Sequence, residues 1–214
     1  MQLYITPDDA VNKKVIADAK AAGYTAVVIS IDAPAAGKSD EVIRQGYKFP
    51  KLPKPYLQHG IKSGLDWDDV KMVMRESGLP VLIKGVTTPE LADEAMRRGL
   101  AGVIVSNHGG RQIDGLPGSF DVLPSVVKAV KGRGVVLVDS GFRRGADVFK
   151  ALACGADAVG IGRPVLFGPA VGGWEGVQST YARLAEELAF TMNVAGVSTI
   201  AEITDKFLIE PKNV

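Results

Sequence analysis

Short apolar runs rich in β-branched residues recur along the chain. Each is followed by a stretch whose apolar positions return every three or four residues. Ala26-Val27-Val28-Ile29-Ser30-Ile31-Asp32, Ala101-Gly102-Val103-Ile104-Val105 and the runs at 79–86, 135–141 and 156–163 read as strands apolar on both faces, as in a parallel sheet. Gln2-Leu3-Tyr4-Ile5 reads as the tip of one more. Between them lie helices. Thr6-Pro7-Asp8-Asp9 supplies a cap, a proline and first-turn acids, Val11, Val15, Ile16 and Ala19 form the stripe, and Gly23 ends it. The spacing predicts further helices over 66–77, with Val70, Val73 and Met74 inward, and from Thr88-Pro89-Glu90 to Gly99. Others are predicted from Ser119-Phe120-Asp121 through Val130, over 145–153, from about 174 to 194, and briefly near 200–207. One stretch breaks the rhythm. Residues 35–64 carry prolines at 50, 53 and 55 and mostly positive charge, including Lys38, Arg44 and Lys62. So long an irregular segment is uncommon in a compact domain. It reads as a solvated face first and an active-site cover second.

Strict alternation of strand and helix predicts a parallel α/β fold. Polar residues stand at the C-terminal ends of different strands: Tyr4, Asp32, Lys84, His108, Asp139 and Arg163. In a (β/α)8 TIM barrel such ends converge on one site; in a doubly wound sheet they spread along an edge. No Gly-x-Gly-x-x-Gly opens a first helix, so the barrel is favoured. A barrel has eight strands and roughly 250 residues. Five strands and a tip predict a barrel lacking its first strands in this chain, residues 1–214 forming one domain. Open strand edges and uncovered core then predict that these residues alone form an oligomer, a partly ordered species or an aggregate, with little activity of their own.

Bulk properties narrow the partners. Apolar residues are 46% of the 214, charged residues 23%, and the net charge is +1. This is an ordinary globular balance without the basic face that nucleic acid requires. No apolar run reaches membrane-spanning length, and Met1-Gln2-Leu3-Tyr4 has no signal-peptide pattern. The single cysteine, Cys154, excludes an internal disulfide framework and reads as a buried, inert thiol. A cytoplasmic location is the expectation.

Chemistry concentrates in Ser106-Asn107-His108-Gly109-Gly110-Arg111-Gln112. A strand end here delivers a base that titrates near neutrality and a guanidinium suited to a carboxylate. Together they match proton or hydride abstraction next to a carboxylate; the plainer reading is a structural histidine in a glycine-rich loop. His59 has no motif around it and reads as a surface residue. A second signal lies in Asp139-Ser140-Gly141-Phe142-Arg143-Arg144-Gly145 and Gly160-Ile161-Gly162-Arg163-Pro164. Glycines, arginines and helix N-termini after the last two strands make a barrel's phosphate site. The alternative is two ordinary tight turns with surface arginines. A phosphate site alone does not separate a phosphorylated substrate from a phosphate-bearing cofactor.

These motifs, with Leu-Ile-Lys-Gly at 82–85, resemble the FMN-dependent 2-hydroxy-acid oxidase and dehydrogenase family along essentially the whole chain. Pro117-Gly118-Ser119-Phe120-Asp121, Val165-Leu166-Phe167-Gly168 and Gly172-Gly173-Trp174 are most similar to its lactate oxidase branch. The resemblance implies FMN as cofactor and a small 2-hydroxy acid as substrate. The electron acceptor stays open between dioxygen, a quinone and an electron-transfer protein. It implies His108 as the base, Asp32 behind its imidazole, Arg111 on the substrate carboxylate and Tyr4 hydrogen-bonded to substrate. Lys84 would lie near flavin N1 and O2, and Gln2 and Ser30 on the isoalloxazine ring. Ser106 joins the cofactor-binding set, Asp139 holds the ribityl chain, and Gly141, Arg143, Gly162 and Arg163 take the phosphate. Two departures stand out. Ser39, beside Lys38, occupies the place of a second substrate-binding arginine, which predicts weak substrate binding. Family members also begin well before the Gln2 strand. Two other readings remain: a non-catalytic remnant that binds phosphate or a partner, and a different phosphate-binding barrel such as an isomerase.

Overall fold

The computed structural model describes residues 1–33, 40–48 and 60–209. Six parallel strands lie in sequence order in one sheet: β1 Gln2–Leu3, β2 Val27–Ser30, β3 Val81–Val86, β4 Gly102–Val105, β5 Val135–Val138 and β6 Ala158–Val159. The helices are α1 Asp9–Ala21, α2 Asp40–Arg44, α3 Trp67–Ser77, α4 Pro89–Arg97, α5 Ser119–Val130, α6 Gly145–Ala153 and α7 Arg163–Ala195. This is the βα succession of a TIM barrel, present as an open arc of six strands.

The strand pattern divides the sheet into two faces, because successive side chains point to opposite sides. Leu3, Val27, Ile29, Ile83, Val103, Val105, Val136 and Val138 are buried and pack into one core with the helices. The opposite face runs in register through Ser30, Lys84, Ile104, Leu137 and Ala158. It is the inner face of the arc, and the candidate site residues sit along its C-terminal rim. Val28, Ile104 and Leu137 are only half-buried there, and Val135 is 42% exposed.

Helix starts follow local chemistry. Asp8 accepts from the amides of Ala10 and Val11, and Thr88 from that of Leu91, ahead of Pro89. Asp66 and Asp69 form a reciprocal capping box on α3, and Gly78 closes that helix in the left-handed conformation.

The inward faces differ in detail from the expected stripes. In α1 the buried residues are Asn12, Ile16 and Ala19, while Val11 and Val15 are half-buried. Asn12 is a buried polar group that satisfies a loop: its Oδ1 accepts from the Thr6 amide and hydroxyl, and its Nδ2 donates to the Thr6 carbonyl. In α3, Met72 is buried and Met74 half-buried.

Two boundaries need larger correction. The last strand is paired only over Ala158–Val159, and the helix expected from residue 174 begins at Arg163. Pro164 suits a first helical turn, where an amide hydrogen has no partner to lose. The helical backbone breaks at Gly172 and Gly173, with φ −149° and 57°. Gly168 and Gly176 lie backbone against backbone across that break, an approach any side chain would block. The helix expected near 200–207 is two 3₁₀ turns, Ile200–Glu202 and Asp205–Phe207, with Phe207 edge-on to Phe149 of α6 at 5.4 Å. Part of the stretch read as irregular is helical, namely α2. The Asp40 amide donates to Asp114 Oδ2 at 3.0 Å, in the loop that follows the histidine turn. Ser39, Lys38, His59 and the prolines at 50, 53 and 55 lie outside the described residues.

Candidate active site

β2 and β4 bring the central pair together. The chain leaves β2 through Ile31 to Asp32, and leaves β4 through the buried Ser106 into a 3₁₀ turn, His108–Gly110. Imidazole Nδ1 of His108 lies 3.1 Å and 3.2 Å from the two carboxylate oxygens of Asp32. Both side chains are mostly buried, so this contact is little weakened by water. With Nδ1–H donated to the carboxylate, Nε2 carries the free lone pair.

The turn itself is tied down on several sides. His108 has φ 57°, rare for a residue with a side chain. Its amide donates to Ser106 Oγ at 3.1 Å, and the Gly109 amide to Ser140 Oγ at 2.9 Å. The Gly109 carbonyl accepts from Arg163 at 2.6 Å.

Lys84 lies in the middle of the inner face. Its Nζ donates to Ser106 Oγ at 2.9 Å and stands 3.3 Å from Asp139 Oδ2. Immediately after it the β3–β4 register shifts, and Gly85 adopts φ 106°. A Cβ at Gly85 would overlap the Asp32 side chain. This glycine therefore admits the carboxylate to its place beside His108. Gln2 and Ser30 meet as well: Gln2 Nε2 donates to Ser30 Oγ at 2.7 Å and to Tyr4 Oη at 3.2 Å.

A cavity of about 480 Å³ opens on this rim, lined by Lys84, His108, Arg111, Asp139, Arg143 and Arg163 together with glycines including Gly141 and Gly162. The volume falls within the roughly 300–1,000 Å³ of small-molecule and cofactor sites. The sequence-predicted residues thus fall into three groups. The cationic loop residues, Asp139 and His108 line the cavity. Asp32 and Ser106 act on it from behind, through His108 and Lys84. Gln2, Tyr4 and Ser30 form their own hydrogen-bonded cluster at the β1–β2 end.

A phosphate-bearing group fits this donor set. Lys84, Arg143 and Arg163 make one wall cationic, α7 presents its N-terminus there, and side-chain-free Gly141 and Gly162 face open space. No group of His, Cys, Asp and Glu among the described residues could hold a metal ion. Cys154 stands outside the site, half-buried, and burial pushes its thiol pKa up.

Two contributors escaped the sequence reading. Gly85 belongs to a recognised motif, but its closeness to Asp32 had no local signal. Ser140 was one letter of a glycine turn, yet it has φ 77° and bonds two neighbours. Gly85→Ala is expected to displace Asp32 from His108 and to cost about 1–3 kcal/mol in overpacking alone, or several degrees of melting temperature. An unchanged His108–Asp32 contact in the variant's crystal structure would show that the strand yields instead.

Comparison with known proteins identifies the family and the fold. The sequence model for FMN-dependent dehydrogenases matches residues 1–210. L-lactate oxidase of Lentilactobacillus hilgardii is 42% identical over 223 residues, covering 97% of this chain and 60% of that protein. 2-Hydroxyacid oxidase 1 of Mus musculus is 36% identical over 233 residues, covering 98% and 63%. A crystal structure of mandelate oxidase with 3,3-difluoro-2-hydroxy-3-phenylpropionic acid superposes with a TM-score of 0.87 at 36% identity, covering 95% of this chain and 61% of the other. The chain therefore spans about three fifths of the length of these relatives, their C-terminal part. The chain belongs to the FMN-dependent 2-hydroxy-acid oxidase and dehydrogenase family, whose cofactor is FMN.

Proposed function

We propose that this polypeptide oxidises a small, lactate-like 2-hydroxy acid to the 2-oxo acid with FMN. The observation that carries the reading is the His108–Asp32 pair at the edge of a cationic cavity that also holds Arg111. Nε2 of His108 takes the substrate proton, and Asp32 stabilises the imidazolium that results. Arg111 binds the substrate carboxylate, and the Tyr4 hydroxyl hydrogen-bonds the substrate. When bound, FMN would supply the acceptor for the two electrons and the second hydrogen that leave the substrate. Gln2 and Ser30 would hold its ring, and Lys84, supported by Ser106, would stabilise the negative charge that gathers on reduction. Asp139 would hold the ribityl chain, and Gly141, Arg143, Gly162 and Arg163 would take the phosphate. Asp40 at the start of α2 is tied to Asp114 in the loop after the histidine turn, which supports reading the described residues 40–48 as part of a cover over the site.

The test is direct. The purified protein, loaded with FMN, is mixed with L-lactate without oxygen, and bleaching of the flavin absorbance is followed. Absence of bleaching with lactate, glycolate and mandelate alike would refute the assignment. Readmitting dioxygen, a quinone analogue or a cytochrome then identifies the acceptor.

Surface chemistry bears on the state of the chain. The inner sheet face is partly bare at Val135, and Trp174, Phe190 and Val194 on α7 are exposed. Apolar surface of this extent drives association, so these 214 residues are expected to sediment as a homo-oligomer. A monomer with one sharp unfolding transition and stoichiometric FMN would overturn this. No helix among the described residues is long and apolar enough to cross a membrane. The lone cysteine fits a reducing compartment, and the cytoplasm is the location we assign.

A further inference from the structure

The histidine turn closes a ring of hydrogen bonds and one ion pair that joins three strand ends. From the His108 amide the ring passes to Ser106 Oγ at 3.1 Å, then to Lys84 Nζ at 2.9 Å and Asp139 Oδ2 at 3.3 Å. From Asp139 Oδ1 it continues to Ser140 Oγ at 2.8 Å, and from there to the Gly109 amide at 2.9 Å. Gly109 and His108 are adjacent, so the ring is complete.

We propose that Ser140 is a positioning residue for His108. Two independent observations support this. The first is the direction of its hydroxyl bonds. Ser140 donates its only proton to Asp139 and accepts from Gly109, and Asp139 is in turn held by the Lys84 cation. The hydroxyl therefore cannot turn away without unpairing the carboxylate or the amide. The second is its backbone. At φ 77° Ser140 holds a conformation that glycine takes at less cost. A serine there carries strain, and its side chain is what the strained position provides.

The consequence falls on the neighbouring residue. His108 is itself left-handed, at φ 57°, and in this setting its imidazole meets Asp32. Ser106 ties the His108 amide to the β4 end, and Ser140 ties the next amide to the β5 end. Two adjacent peptide groups anchored to different strands leave the turn no hinge. The ring also passes through Lys84 and Asp139. The base-bearing turn and the cavity wall proposed to hold FMN are therefore set by one network. The proposal rests on the reading of His108 as the base.

Ser140→Gly tests it in the FMN-loaded protein, since glycine suits the backbone and removes the hydroxymethyl group that makes the bonds. The melting temperature is expected to hold or rise. Amide hydrogen exchange at Gly109 is expected to accelerate by about tenfold, the worth of one lost hydrogen bond. The limiting rate of flavin reduction by lactate should fall by about tenfold or more through misalignment, with the half-saturating lactate concentration unchanged. A purely structural serine would instead lower the melting temperature and leave the limiting rate alone. Unchanged exchange at Gly109, or faster exchange with an unchanged limiting rate, overturns the proposal. Should the unaltered protein fail to reduce flavin with any 2-hydroxy acid, the functional reading falls by itself. Exchange at Gly109 then still decides whether Ser140 anchors the turn.

Discussion

His108→Gln is expected to lower flavin reduction by a 2-hydroxy acid by about 10²–10⁴-fold, the usual contribution of a general base. Glutamine keeps a polar side chain of similar reach, so Asp32 retains a donor beside it and is not left unpaired. The backbone ties of the turn run through the amides of His108 and Gly109, and the substitution leaves those untouched. What it removes is the ring nitrogen that can accept a proton on one side while Nδ1–H faces the carboxylate on the other. FMN should remain bound, because the proposed phosphate grip belongs to Arg143 and Arg163 on other loops. Stopped-flow reduction by lactate, alongside a flavin titration, reads both effects. Near-normal reduction would take His108 out of the mechanism.

Replacing Arg143 and Arg163 together by glutamine is expected to weaken FMN binding by about 10²–10⁴-fold. Each charge-assisted contact to a phosphate contributes about 1.5–3 kcal/mol, and roughly 1.4 kcal/mol is tenfold. Quenching of FMN fluorescence on titration measures the loss, which should shrink as salt is raised in the unaltered protein. Unchanged affinity would place the phosphate elsewhere. The single variants should also differ. Arg163 donates to the Gly109 carbonyl as well as lining the cavity, so Arg163→Gln should slow reduction even at saturating FMN. Among the described residues, Arg143 lines the cavity with no bond to the turn, and Arg143→Gln should act on binding alone.

Much of the architecture was legible in local patterns because local physics writes it. Asp8, Asp66 and Thr88 cap the helices that follow them, since a free amide at a helix start needs an acceptor nearby in the chain. Apolar runs marked the strands, and their polar last residues marked the rim where chemistry gathers. The reading failed where a pattern had a non-local cause. Asn12 lies outside the apolar stripe that marked α1, yet it is buried because the Thr6 loop needs its amide. The helix was expected from about 174, just after the double glycine at 172–173. That pair is instead a break between two helical segments that meet at Gly168 and Gly176.

The sequence by itself determined the parallel α/β succession, the residue types at the strand ends and the motifs of the family. These depend on bonds and burial within a few residues, or on a chemistry that demands particular side chains. Only the tertiary structure decided which of those side chains meet. Asp32 and His108 are 76 residues apart and touch because β2 and β4 flank β3 and Gly85 leaves room for the carboxylate. Ser140 reaches Gly109 across 31 residues, through the pairing of β4 with β5. Contacts of this kind depend on strand register and on the space that neighbours leave, and both arise only when the sheet assembles.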